Sequence, residues 1–161
     1  MSNTDDKKFI EQVLSGDLSA FRLLMHKHQD FAYVVAFRIL KNKEEAEEAC
    51  QDAFVKAYQQ LKNFKEESKF STWLYTIVYR AALDKLSKMN KSPFIDKDPG
   101  IELENNSNWE TALNLLERKE RSLIIQKALL ELGGEEAALL TFYYLKEMKL
   151  REIEEITDTN T

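Results

Sequence analysis

The sequence is poor in turn-forming residues: four glycines (Gly16, Gly100, Gly133, Gly134) and two prolines (Pro93, Pro99) serve 161 residues. A β-barrel or sandwich wants such residues at each of its many reversals, so an all-α fold is favoured. The same glycine spacing fits neither G-x-G-x-x-G nor the P-loop pattern, which argues against dinucleotide binding and P-loop ATP hydrolysis. The one cysteine, Cys50, forms no intramolecular bridge and no C-x-x-C zinc or redox site. Nothing calls for an oxidising compartment, and a cytoplasmic location is the simple expectation. Histidine is scarce too. His26 and His28 stand two apart, about 200° around a helix, so they cannot share a metal. The longest apolar runs, such as Ala32 to Phe37, fall far short of the roughly 20 residues that cross a bilayer. Met1 to Lys8 is polar and carries two acids, the opposite of a signal peptide's order, and no membrane insertion is expected.

What is present is a globular mixture of 43% apolar and 32% charged residues with a net charge of −5, unlike the composition of a disordered chain. The charge is uneven. Residues 62–91 carry seven bases and three acids, whereas 1–61, 92–111 and 112–161 are each net acidic. Residues 92–108 hold both prolines, a glycine and an Asn/Ser run without helical periodicity, which predicts a flexible linker between units 1–91 and 109–161.

Phe21, Leu24, Met25, His28, Ala32, Val35 and Ile39 recur at three- and four-residue steps and predict a helix from about Ser19 to Lys41, ended by Asn42. Asn42 also suits the cap of the next helix, where Ala46, Cys50, Ala53, Phe54, Ala57 and Leu61 form a stripe. After a break at Asn63 to Ser68, Ser71 is the expected cap of a helix to about Asn90, with Thr76, Arg80 and Ser87 as a narrow polar strip. A shorter helix from about Asp5 to Ser15 precedes these and stops at Gly16. In the second unit, Asn108 opens a long helix to Leu132, Gly133 and Gly134 stop it, and helices follow over Glu135 to Leu145 and from Leu150 to near Thr157. Helix, connection and short helix match the first half of a helix-turn-helix.

No nucleophile is paired with a base, so no catalytic residue, metal or cofactor is expected. His28 lies in an apolar stripe and is read as a core residue whose nitrogens find polar partners; Cys50 is read as a small core residue in an acidic neighbourhood. Five acids without a base occupy Glu44 to Asp52, and Glu48, Gln51 and Asp52 share one helix face. A solvated face fits that pattern, and so does a face meant for a basic partner. In the basic segment, Lys62, Lys65, Lys69 and Arg80 are interleaved with Phe64, Phe70, Trp73, Tyr75 and Tyr79. Cations with aromatics suit a single nucleic-acid strand, while aromatics at helical spacing also suit a core, and Trp73 is open to both roles.

The runs E-E-A-E-E-A-C-Q-D-A-F-V-K-A-Y (44–58), L-K-N-F (61–64), K-F-S-T-W-L-Y-T-I (69–77) and A-L-D-K-L (82–86) resemble region 2 of the sigma-70 family of bacterial transcription initiation factors, most of all its extracytoplasmic-function (ECF) group. The resemblance spans about residues 9–90, and residues 124–157 are similar to the start of region 4. It implies a non-enzymatic factor that binds core RNA polymerase through Glu48, Gln51 and Asp52. It further implies that Lys62, Asn63, Phe64, Lys65 and Ser68 capture a flipped base of the −10 element, with Lys69, Thr72, Trp73, Thr76 and Arg80 along the non-template strand. Partly single-stranded promoter DNA and an anti-sigma factor are the further partners it implies.

This chain departs from the family pattern at Tyr79-Arg80, where an arginine-asparagine pair is common, at Leu132-Gly133, where Leu-Pro is usual, and at Lys149, where a Ser/Thr cap is usual. It also ends at Thr161, about where the recognition helix starts. The expectation is therefore a partial region 4 over 109–161 without the −35-reading helix, whose Leu150, Ile153 and Ile156 need an outside surface to cover them. The competing expectation is a helical interaction protein that occupies polymerase or another partner without binding promoter DNA.

Overall fold

The computed structural model describes residues 3–91 and 128–158. Its helices are α1 (Asn3–Leu14), α2 (Leu18–Leu40), α3 (Lys43–Gln60), α4 (Phe70–Lys91), α5 (Gly134–Leu140) and α6 (Leu150–Thr157), and residues 128–131 are helical as well. A 3-10 turn, Leu61–Asn63, follows α3, and a π-helical turn, Thr141–Leu145, follows α5. Among the described residues there is no strand, and no helix is long and apolar enough to cross a membrane.

Local chemistry sets the boundaries. Asp17 accepts a hydrogen bond from the Ser19 amide at 2.9 Å and opens α2, and Asn42 accepts one from the Glu45 amide at 3.0 Å and opens α3. Gly16 takes φ 108° after α1, a conformation costly for any residue with a Cβ. Asn42 does not end α2: Lys41 does so, turning left-handed at φ 53° while its amide donates to the Phe37 carbonyl. Ser71 is not a cap either, because α4 already begins at Phe70. The helix expected over Glu135 to Leu145 is α-helical only to Leu140, and its remainder widens into the π turn. The linker at 92–108 and most of the helix expected from Asn108 lie outside the described residues.

Helices α2, α3 and α4 pack on one another, and α1 lies across α2. The predicted stripe of α3 is buried, from Ala46 to Leu61, against the apolar faces of α2 and α4. The C-terminal segment joins the same core. Ala138, Phe142, Met148, Ile153 and Ile156 are buried in it, so Ile153 and Ile156 are covered by the chain's own helices and need no outside surface; Leu150 remains 66% exposed. Each such large apolar side chain contributes about 1.5–3 kcal/mol on burial. The ion pairs at this junction, Lys69 with Glu152 and Arg80 with Asp158, are exposed on at least one side, and such pairs contribute at most about 1 kcal/mol, so apolar contact dominates the docking.

Three details fit the segment to α2. A Cβ on Gly134 would stand 2.9 Å from the Ile39 carbonyl oxygen and 3.1 Å from its Cα, so only glycine permits that approach. The Lys41 ammonium donates to the carbonyls of Leu130 and Leu132, the second at 2.7 Å, and so completes the end of the helix at 128–131. Lys146 places its ammonium 5.0 Å from the centroid of the Phe31 ring.

Candidate functional site

The exposed face of α3 carries Glu48, Gln51 and Asp52 as the helical spacing requires. Sequence reasoning missed its continuation: Val55 (56% exposed) and Tyr58 (43%) extend the face toward the helix end, with Tyr58 packed edge-on against Phe21 at 5.0 Å. The i+3/i+4 step from Gln51 and Asp52 to Val55 was the available signal. Beside this face, Lys85 of α4 reaches Glu48 at 2.8 Å and Glu45 at 3.0 Å. Burial pulls the Lys85 ammonium down, but the two carboxylates outweigh it and hold its pKa above the ordinary 10.5.

The basic segment divides into a loop and a helical strip. In the loop, Lys62, Asn63 and Lys65 are exposed, and Phe64 and Ser68 are half-buried. Phe64 packs on Trp73 at 5.2 Å and edge-on to Phe70 at 5.9 Å, with Phe70 and Trp73 5.7 Å apart. These three rings therefore form the floor of the loop. Phe64 and Ser68 line a cleft of about 90 Å³ together with Asp6, Lys7, Ile10, Glu66 and Phe70. The α1 residues of that wall were not foreseen, since no periodicity links α1 to a loop 60 residues later. Lys7 crosses to Glu66 at 2.9 Å, and Glu66 is left-handed at φ 57°.

Beneath the cleft lies a polar chain. Asp6 reaches His28 Nε2 at 3.1 Å and Lys27 Nζ at 2.6 Å, and His28 Nδ1 meets the Tyr75 hydroxyl at 3.2 Å. Burial raises the Asp6 carboxyl, but the hydrogen bonds and charges of His28 and Lys27 outweigh it, and its pKa lies below the ordinary 3.8. Burial, then the Asp6 charge, pushes the Tyr75 phenol upward. His28 is thus the satisfied core histidine that its stripe implied. Cys50 is buried on α3, and burial followed by the Glu47 charge pushes its thiol up to about 12.

Lys69, just before α4, and Thr72, Thr76 and Arg80 on it, at steps of three and four, share one strip, away from the Leu74, Val78 and Ala81 side that enters the bundle. Trp73 flanks this strip. Thr76 donates its hydroxyl hydrogen to the Thr72 carbonyl at 2.8 Å. Lys69 pairs with Glu152 at 2.6 Å and Arg80 with Asp158 at 2.6 Å, so the charged ends of the strip meet acids of α6. The Lys149 amide donates to Glu152 at 3.0 Å; lysine offers no acceptor for the usual N-cap, and Glu152 supplies this half of a capping box. For Glu152, burial raises the carboxyl, while Lys69 and the Lys149 amide outweigh it and lower the pKa from 4.5.

A family model described as Sigma-70 region 2 matches residues 24–92, the stretch that holds α2, α3, the loop and α4. The chain is 31% identical over 156 residues to the ECF RNA polymerase sigma factor SigW of Bacillus subtilis, covering 93% of this chain and 83% of that one. It belongs to the ECF group of the sigma-70 family. Another relative of this ECF chain is the RNA polymerase sigma-H factor of Pseudomonas aeruginosa, 33% identical over 124 residues, or 77% of this chain and 64% of that one. The ECF sigma-E factor of Escherichia coli is 33% identical over 100 residues, and the match spans about half of it, 52%. Sigma factors are non-enzymatic initiation factors. Among the described residues of this one, no group of three or more His, Cys, Asp or Glu is placed to hold a metal.

Proposed function

We propose that this chain is a sigma factor that docks on core RNA polymerase through the α3 face and directs recognition and melting of a −10 promoter element in the cytoplasm. The observation that carries the reading is a coincidence of position. The region 2 match over 24–92 contains the exposed Glu48, Gln51 and Asp52 face, the basic loop and the α4 strip, and the relatives are named RNA polymerase sigma factors. Val55 and Tyr58 give the acidic face an apolar end that a basic partner can cover. Across the molecule, Lys62, Lys65, Lys69 and Arg80 neutralise phosphates of the non-template strand. Asn63 and Ser68 replace hydrogen bonds that a base loses on leaving the duplex, and Phe64 and Trp73 support the loop from below while Thr72 and Thr76 line the strip. The chain divides into a region 2 unit, 1–91, and a region 4 unit, 109–161, joined by 92–108, and an anti-sigma factor is a further partner.

The competing reading, a helical protein that occupies polymerase without touching promoter DNA, draws on one observation: Lys69 and Arg80 are engaged within the chain. One pair of variants separates them. Glu48→Lys with Asp52→Lys abolishes co-purification with core polymerase while helicity is kept. Asn63→Ala with Lys65→Ala spares that association but weakens capture of the single-stranded −10 strand. Polymerase binding untouched by the charge reversal would remove the α3 face from the site. Strand binding equal in wild type and the loop variant would remove the loop from the site, and no strand binding by the wild type would leave only the competing reading.

A further inference from the structure

We infer that α1 supplies half of a base-reading contact: Lys7 and Glu66, paired across the mouth of the cleft, select a captured base that carries an exocyclic amine and reject thymine. The inference rests on the reading of the loop as the site that captures a flipped base, and it adds a specificity-determining residue from outside that loop.

Three observations carry it. The first is the lining of the cleft. Ile10 and Phe70 are buried and Phe64 is half-buried, so apolar surface faces a ring that enters, and Lys7, Glu66 and Ser68 are the accessible polar groups. The Asp6 carboxylate also reaches the cleft, but it is already engaged, Oδ1 with Lys27 and Oδ2 with His28. Edge contacts therefore fall to Lys7 and Glu66, whose side chains are 58% and 48% exposed and stand 2.9 Å apart. The second is how the pair is held. Asp6, the residue before Lys7, fastens this turn of α1 to α2, and His28 carries the contact on to the Tyr75 hydroxyl of α4, so Lys7 stands on a fixed wall. Glu66 is left-handed at φ 57°, an uncommon conformation for a residue with a side chain, and one that persists where the surroundings impose it. The bridge from Lys7 ties that turn to α1.

The third is chemical. The pair sets a group that only donates beside a group that only accepts. Its hydrogen bond to Glu66, then the Glu66 charge, hold the Lys7 ammonium above the ordinary 10.5, so it stays a donor at neutral pH. Cytosine, adenine and guanine each carry an amine on the edge that a flipped base presents, with an acceptor on the same edge: N3, N1 and O6. Glu66 accepts from the amine and Lys7 donates to that acceptor. Thymine has no amine. Its one ring N–H lies between two carbonyls, so a carboxylate that takes it faces a carbonyl oxygen, and a site that leaves polar groups mismatched in this way discriminates. An exposed ion pair is weak, so a base enters between its partners at small cost.

The test sequences the fraction of a random single-stranded DNA pool retained at fixed salt by the full-length chain in complex with core RNA polymerase, with core polymerase alone as the baseline. Wild type is compared with Glu66→Gln, whose amide both donates and accepts, with Lys7→Gln, and with Lys8→Gln, which removes the same charge from an exposed neighbour on α1. All three changes are on exposed side chains, and circular dichroism reports that helicity is kept. Wild type is expected to deplete thymine about tenfold at one position of the retained motif. Glu66→Gln and Lys7→Gln both relax that depletion to within about twofold, at that position alone, and Lys8→Gln keeps it. If the two variants do not relax the same position, or if Lys8→Gln relaxes it equally, the pair is not the reader, while capture by the loop stands. Enrichment of no sequence above core polymerase alone would overturn the reading of the loop itself, and this inference with it.

Discussion

The carboxylate of Asp6 on α1 stands 3.1 Å from Nε2 of His28 on α2, and both side chains are buried. Lys27 completes the pairing at 2.6 Å, so α1 is fastened to the bundle by a charge that has lost most of its water. Asp6→Ala leaves Lys27 and His28 without that partner and is expected to cost about 3 kcal/mol, read from urea unfolding. A cost below about 1 kcal/mol would mean that α1 is held by Ile10 and its apolar neighbours alone.

The same carboxylate sets an acid limit. Its folded pKa lies below the ordinary 3.8, so its contribution is fully present above that value and is lost as pH falls through the lower folded value. The stability gap between wild type and Asp6→Asn should narrow as pH falls below 3.8. A gap that stayed constant as acid was added through that range would contradict the assignment.

Gly133 and Gly134 are adjacent but differ in what a methyl group would meet. At Gly133 it meets the flexible carboxylate of Glu136, which can swing away; at Gly134 it meets the Ile39 backbone. Gly133→Ala is expected within about 0.5 kcal/mol of wild type. Gly134→Ala should lose about 1–3 kcal/mol, through overpacking that pushes α5 off α2. Equal melting temperatures for the two variants would show that α5 does not dock closely.

Phe64 and its neighbours test the loop. Phe64→Ala removes a ring from the Phe70 and Trp73 cluster, and is expected to shift Trp73 emission and to cost about 2 kcal/mol. Asn63→Ala and Lys65→Ala, both exposed, should stay within about 0.5 kcal/mol. A Phe64→Ala variant as stable as those two would free that ring for stacking on a base.

Cys50 is expected to resist thiol reagents at about pH 8 in the native state, since burial removes both access and thiolate. Labelling should appear only with unfolding, and fast native labelling would show that α3 opens locally.

Most of the bundle was legible because its signals are local. The apolar stripes of α2 and α3 fixed both helices to within a residue or two, and Asn42 announced itself by standing before an acidic first turn. His28 could be recognised as a core residue from its stripe, but Asp6 could not be named as its partner, since a contact 22 residues away leaves no periodic trace. The site divides in the same way. Motif order brought out the α3 face and the basic loop, whereas the α1 wall of the cleft and the cover over Lys69 and Arg80 arise from tertiary packing alone. The apolar side of α6 was visible as Leu150, Ile153 and Ile156; the surface beneath it was not.

Lys41 carries one further consequence, concerning the order in which the chain is made. Its left-handed turn belongs to the α2–α3 corner, so its backbone is placed once that corner has folded. Leu130 and Leu132, whose carbonyls it satisfies, leave the ribosome some ninety residues later. The end of the late helix therefore finds its counter-charge already waiting on a finished surface, and the N-terminal bundle serves as the mould on which the last part of the chain is cast.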